Sequence, residues 1–348
     1  MTRARATQRG GNLALSQPDS PGAPVKTCSA LAGGHRRRGD VVFRSLTGAG
    51  ALFIVLLLAG TALYLILQAW PALSHYRAWS YFTSDRWAPS EATAESRHPN
   101  PYGILQFITG TLVTSAIAML MAVPVSVALG LYITDVAPPR LRRVLSTLID
   151  LLAAIPSVVY GFWGVFALLP VLTPIGKSLT HLSVIPFIGE IFRGPFFGYS
   201  VFSASVVLAI MVLPIVTAIC REVFATAPVA EKEAALGLGT TRWEMLRLAV
   251  LPRSRSGIMG AAILGLGRAF GETIAVTMLV GNNVLSIAKS IFSQGATMPS
   301  VMANEFTEAN QPYHLGSLFV VALALLVVSL LVNVAGKRIV SRAGEHIA

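Results

Sequence analysis

An arginine and a glutamate stand four residues apart in the stretch Gly265-Leu266-Gly267-Arg268-Ala269-Phe270-Gly271-Glu272-Thr273, within a long apolar run from Gly257 to Gly281. On a helix that spacing puts both side chains on one face. A charge near the middle of a bilayer costs at least about 2.5 to 3.5 kcal/mol on insertion scales, so Arg268 and Glu272 are expected to face each other, a partner or water. A guanidinium is permanently charged, and its fork of donors matches a tetrahedral oxyanion, so the chemistry open to this pair is recognition and passage of an anion. The alternative is an Arg-Glu pair that only fixes helix packing. Gly267 and Gly271 form a small-xxx-small pair close to that face, which would let another helix approach closely.

A second constellation lies in the polar segment 221–256, which reads as two short helices rather than a linker. Pro228 opens the first, and Glu231 to Leu238 is a good helix former that stops at Gly239, where positive φ is free of penalty. Thr241 followed by Glu244 three places on has the pattern of a capping box, and the second helix is expected to stop before Pro252. Within this hairpin Glu233, Ala234 and Ala235 offer a charge beside two small side chains that permit close approach, Gly239 makes the turn, and Leu251 and Pro252 close the segment.

The elements that must hold these residues are set by composition. The chain has 348 residues, is 54% hydrophobic and only 12% charged, and has a mean hydropathy of +0.65. A soluble fold of that composition would expose large apolar patches, whereas lipid accepts them. Six apolar stretches exceed 20 residues: 46–68, 107–133, 144–170, 199–220, 257–281 and 315–336. Each is long enough to cross a hydrocarbon core of about 30 Å. The expected class is therefore an all-α integral membrane protein of six helices. Prolines 124, 156 and 214 inside three successive stretches suggest kinked helices around a cavity. Residues 1–45 form a basic segment without apolar periodicity, expected to be a disordered tail. Residues 46–106 would carry the first span and a loop, and 107–340 the rest.

Net charge is +11, but its distribution argues against nucleic acid. Of the 27 Lys and Arg, 20 fall on one set of alternating inter-helical segments and six on the other, which is the signature of membrane orientation with both termini in the cytoplasm. Attraction of the basic tail to anionic lipid follows. Trp70, Trp79, Tyr81 and Trp87, in the loop after the first span, suit an interfacial aromatic belt. Parts for catalysis are missing. Gly176-Lys177-Ser178 resembles the end of a phosphate-binding loop, but Val171 occupies its first glycine position, and it reads as a loop after the third span. Cys28 and Cys220 make no metal or disulfide pattern, and His181 and His314 read as isolated loop histidines.

The 221–256 hairpin resembles the cytoplasmic EAA loop of permeases in bacterial binding-protein-dependent ABC importers. Glu233, Ala234, Ala235, Gly239, Leu251 and Pro252 match the spacing, and Ala249 departs from it by replacing the usual isoleucine. The Arg268 to Glu272 stretch is similar to the fifth-span signature of the PstC-type permease family of phosphate importers. Asp85-Arg86-Trp87-Ala88-Pro89, Ile155 to Gly161 and Ala303-Asn304-Glu305-Phe306 agree. The resemblance implies MetI-like architecture and docking of the hairpin on a separate ATPase, with no catalytic residue, metal or cofactor on this chain, ATP and Mg being held by the partner. It also implies a PstA-like second permease, a PstB-like ATPase dimer, a PstS-like phosphate-binding protein, and passage of inorganic phosphate past Arg268 and Glu272 in the inner membrane. Since phosphate keeps a proton at neutral pH and sulfate does not, Glu272 could accept a hydrogen bond from the former and repel the latter. Alternatives are a PstA-like or other oxyanion permease, and a gradient-driven secondary transporter.

Overall fold

A computed structural model describes residues 38–91, 100–181, 189–311 and 313–345. The chain divides into two compact units, 1–58 and 59–348. The described part of the first is the opening of α1 (Arg38–His75), helical from Arg38 and exposed from residue 39 onward. This corrects one expectation: residues 38–45, assigned to a disordered tail, belong to the helix. The remainder of that tail lies outside the described residues.

The second unit is a helical bundle. After α1 come α2 (Ala78–Thr83), α3 (Leu105–Leu131), α4 (Pro139–Ala154), α5 (Ser157–Trp163), α6 (Leu169–Leu179), α7 (Val201–Ala225), α8 (Val229–Gly237), α9 (Arg242–Met245), α10 (Leu251–Gly271), α11 (Ile274–Leu279), α12 (Met298–Glu305) and α13 (His314–Glu345). Single π turns join α3 to the loop before α4, α5 to α6, and α9 to α10. The centre is α7, of whose most apolar stretch 67% is buried; it packs on α3, α4 and α10. Glycines set the closest contacts. A Cβ at Gly265 of α10 would meet Val216 at 2.6 Å and Val212 at 3.0 Å on α7, so any side chain there would force the two helices apart.

Among the described residues, five helical stretches are long and apolar enough to cross a membrane: 39–75, 105–136, 157–179, 201–225 and 314–340. Two of the six expected spans are redrawn. The third was placed at 144–170, but the backbone turns extended at Ile155 and Pro156 and divides it. Proline restricts the residue before it to extended φ/ψ, so Pro156 ends a helix here rather than kinking one. The apolar helix begins at Ser157 and runs to Leu179, so Gly176-Lys177-Ser178 lies in its last turns, not in a loop, and Gly176 packs on the Phe196 ring. The fifth expected span is also broken: α10 ends at Gly271, Glu272 is extended (φ −72°, ψ 120°), and α11 starts at Ile274. Pro124 and Pro214 stay inside continuous helices.

Candidate functional site

The 229–252 hairpin is built by local hydrogen bonds. α8 follows Pro228 and ends in a Schellman arrangement: Gly239 N–H donates to Leu236 O (3.0 Å) and Thr240 N–H to Ala235 O (3.4 Å), with Gly239 at φ +84°. The capping box is complete, since Thr241 N–H donates to Glu244 Oε2 (2.7 Å) and Glu244 N–H to Thr241 Oγ1 (3.3 Å). The expected stop before Pro252 does not occur. A π turn at Leu246–Val250 carries α9 into α10, and Pro252 sits in α10's first turn, directly after the rewound segment.

Ala235 and Leu251 face inward and pack on the core, while Glu233 and Ala234 are exposed, and Glu233 makes no ion pair among the described residues. Leu236, Leu238, Trp243 and Leu248 are exposed as well, Leu238 by 86%. This knob is thus rigid in its backbone and apolar on its outside, a combination that a lone surface hairpin has no reason to keep. Two ion pairs anchor it. Arg253 reaches Glu231 at 3.0 Å, both side chains about half exposed, whereas Lys232 reaches Asp135 at 2.5 Å with side chains only 16% and 9% exposed. Sequence reasoning missed Lys232 and Asp135, although Lys232 stands inside the Glu231-Lys232-Glu233 run and Asp135 at the end of an apolar stretch.

Of the three arrangements open to Arg268 and Glu272, facing each other is not the one adopted at the break between α10 and α11. Glu272 has left the helix, so the two no longer share a helical face; its carboxylate turns inward to 8% exposure and Oε1 accepts from Ala275 N–H at 3.5 Å in the first turn of α11. Arg268 is exposed and has no ion pair or hydrogen bond with a described residue. Its guanidinium lies near enough to act electrostatically on Tyr160, whose hydroxyl donates to Leu152 O across the Pro156 break at 2.8 Å. The two interrupted helices meet directly, since a Cβ at Gly161 of α5 would lie 3.2 Å from Ala275 Cα of α11. Gly267 makes ordinary contact with Asn333 of α13, and Gly271 has open space around it, so the close approach expected of this pair is not used among the described residues.

A third cluster contradicts two expectations. Tyr81 and Trp87, assigned to an interfacial belt, are buried at 0% and 1%, while Trp70 and Trp79 are exposed. Trp87 Nε1–H donates to Glu305 Oε2 (2.7 Å), and the same oxygen is 2.9 Å from Nε2 of His314, which is buried and not an isolated loop residue. Trp87 packs edge-on against Tyr102, Phe107 and His314. Burial pushes the Tyr81 and Tyr102 phenols well above their ordinary value, so both stay neutral. No group of three or more potential metal ligands occurs among the described residues.

Broken helices around an arginine that has no partner among the described residues, on a helix whose opposite end grows out of a capped helical knob, describe the membrane subunit of a transporter. The sequence pattern of the family "binding-protein-dependent transport system inner membrane component" matches residues 122–345, and the chain belongs to that permease family. It is 43% identical to the phosphate transport system permease protein PstC of Xylella fastidiosa over 84% of this chain and 90% of that one. Identity is 40% with PstC of Mesorhizobium japonicum (84% and 87% covered) and 37% with PstC 2 of Mycobacterium bovis (87% and 92%). Among solved structures, a chain of the inward-facing MetNI methionine ABC transporter aligns with a TM-score of 0.47 and 17% identity over 69% of this chain and 94% of that one.

Proposed function

We infer that this chain is one of two permease subunits of an ATP-driven phosphate importer. Its PstC relatives, similar over most of their length, supply the substrate class. The observation that carries the reading is Arg268: a permanent cation in an apolar chain, exposed and without a pairing partner among the described residues. An arginine left so is costly in lipid and useful beside a water-filled pathway that an oxyanion crosses. Glu272 belongs to the same pathway, holding the α10–α11 break open and offering a carboxylate that accepts a hydrogen bond from protonated phosphate. Gly271, with open space around it, leaves room for the second permease, which would be PstA-like.

The hairpin docks on a PstB-like ATPase dimer through Glu233, Ala234 and its exposed leucines, with Ala235, Gly239, Leu251 and Pro252 fixing its shape. ATP and Mg are held by that dimer, and this chain needs no cofactor of its own. Both termini are cytoplasmic, and a PstS-like phosphate-binding protein delivers substrate to the opposite face. A gradient-driven carrier would not need the hairpin, so uptake should stop on ATP depletion and survive loss of the proton gradient.

The decisive variant is Arg268→Gln, reconstituted with the other subunits. Phosphate uptake is expected to vanish while the complex still assembles; uptake at the parent rate would overturn the reading.

A further inference from the structure

We propose that the Lys232–Asp135 ion pair is the strut through which movement of the hairpin enters α3, so that these two positioning residues set how much phosphate moves per ATP hydrolysed. The inference rests on the reading above, that the hairpin seats on an ATPase. A hairpin that merely touched the bundle could be displaced by a motor without displacing the spans. Among the described residues one nearly buried ion pair joins this hairpin to another long helix, and it is this one. The other hairpin pair, Glu231 with Arg253, is half exposed and ties α8 to α10, into which the hairpin's own second limb runs. An exposed pair of that kind holds weakly.

The Lys232 pair differs because both charges are withdrawn from water. Pulling them apart would strand a carboxylate that is 9% exposed, a far larger penalty than parting two solvated ions. Asp135 also keeps its second oxygen, Oδ2, buried and without a hydrogen-bond partner among the described residues. An ammonium is a point charge with three rotatable donors, so Lys232 can pass from Oδ1 to Oδ2 as the hairpin turns and remain attached throughout. Asp135 lies in the π turn Tyr132–Val136, closed by Ala137 N–H donating to Tyr132 O at 2.7 Å, so the force is received where the helix is locally rewound.

What α3 does with that force is visible at its other end. A 27-residue helix is about 40 Å long. Near its N-terminus Gln106 Nε2–H donates to Val284 O (2.6 Å), Met298 N–H donates to Thr111 Oγ1 (2.9 Å), and Gly110 lies directly against the carbonyl of Ala296. All three contacts grip the segment 281–298, which follows α11 and therefore the break at Glu272. α3 is a rod with the hairpin fixed to one end and the segment beyond the broken helix fixed to the other.

The test is made on the reconstituted four-component transporter in proteoliposomes, reading phosphate moved, ATP hydrolysed and thermal stability. Lys232→Gln and Asp135→Asn are each expected to leave ATP hydrolysis in place and lower phosphate moved per ATP by about tenfold or more, consistent with loss of a buried pair. The exchange Lys232→Asp with Asp135→Lys is expected to restore the ratio. A pair that only stabilises the fold would lower thermal stability and leave the ratio unchanged, and that result overturns the proposal. If a single variant does not assemble, the exchange decides: a restored ratio supports the strut, and an exchanged pair that assembles and hydrolyses ATP without moving phosphate overturns it. If the parent complex itself moves no phosphate with ATP, the assignment of function fails instead, and the two failures are told apart by that control.

Discussion

The 229–252 hairpin and the aromatic block around Trp87 are both well ordered, yet they are held by opposite means. The hairpin is closed by hydrogen bonds between residues at most five apart, its motif side chains Glu233 and Ala234 are exposed, and Trp243 with Leu236, Leu238 and Leu248 lies on the surface. The aromatic block is closed by residues far apart in sequence: Trp87 with Glu305, Tyr81 with Ser317 (2.9 Å between hydroxyls), and Tyr102 stacked on His314. One region keeps a shape in order to present a surface. The other removes its surface in order to join α2, α12 and α13. Substitutions in the hairpin should therefore change transport more than stability, and those in the block the reverse.

Trp87→Ala puts the greatest strain on that contrast. It removes a fully buried indole and leaves Glu305 and His314 without their third partner, and large-to-small changes of this kind cost about 3 to 5 kcal/mol. The apparent unfolding temperature of the detergent-solubilised protein is expected to fall by many degrees. Trp87→Phe sharpens the reading, because it keeps a ring in the block and deletes the N–H to Glu305, a charge-assisted hydrogen bond worth roughly 1.5 to 3 kcal/mol. A Trp87→Ala protein as stable as the parent would show that the block is not what joins these helices.

Gly239→Ala tests the other side. A residue with a Cβ at φ +84° carries a cost of about 1 to 2 kcal/mol, and no neighbouring atom lies within 4 Å to add a clash. Most of that cost is expected to appear as fraying of the C-terminal end of α8, with little change in the unfolding temperature of the bundle. ATP-dependent uptake should drop, because Leu238 and Thr240 flank the turn and would be re-aimed. Gly239→Asn, which tolerates that conformation better, should recover part of it. Uptake unchanged in Gly239→Ala would break the link between hairpin shape and transport.

The same contrast explains what could be read from the sequence. Hairpin features are local: a proline before a helix, a glycine after it, and a Thr and Glu three apart are complete instructions, and both caps form as their spacing requires. The apolar runs are equally local and point to the membrane class, while the family resemblance rests on the short motifs of the hairpin and of the Arg268 to Glu272 stretch. What could not be read depends on partners distant in the chain. Trp87 and His314 look like a belt aromatic and a loop histidine until Glu305 is brought between them. Lys232 looks like one more solvated charge until the bundle brings Asp135, 97 residues away, to within 2.5 Å. Glu272 looked helical because four-residue spacing fits a helix. The extended backbone at that residue and the capping of α11 by its carboxylate follow from neither periodicity nor composition, and where Pro156 and Glu272 interrupt their helices the apolar pattern runs on through the break.

Protonation of Glu244 gives the smallest expected effect and the finest check on the hairpin's local construction. The backbone N–H of Thr241, and after it the Thr241 hydroxyl, hold the Glu244 carboxyl below its ordinary value of 4.5. A carboxyl depressed in the folded state stabilises the cap fully above the unfolded value and loses that contribution as pH falls through the lower folded value. Protection of the amides of 241–245 from hydrogen exchange, corrected for intrinsic rates, should thus be greater in the parent than in Glu244→Gln at neutral pH. The two should converge under acid conditions below 4.5. Because the carboxylate is fully exposed, the difference should stay confined to these residues and leave the bundle untouched. Convergence already at neutral pH would mean that the cap is held by the Thr241 hydroxyl alone, and the hairpin's rigidity would then rest on the Gly239 turn and the pairing of Lys232 with Asp135.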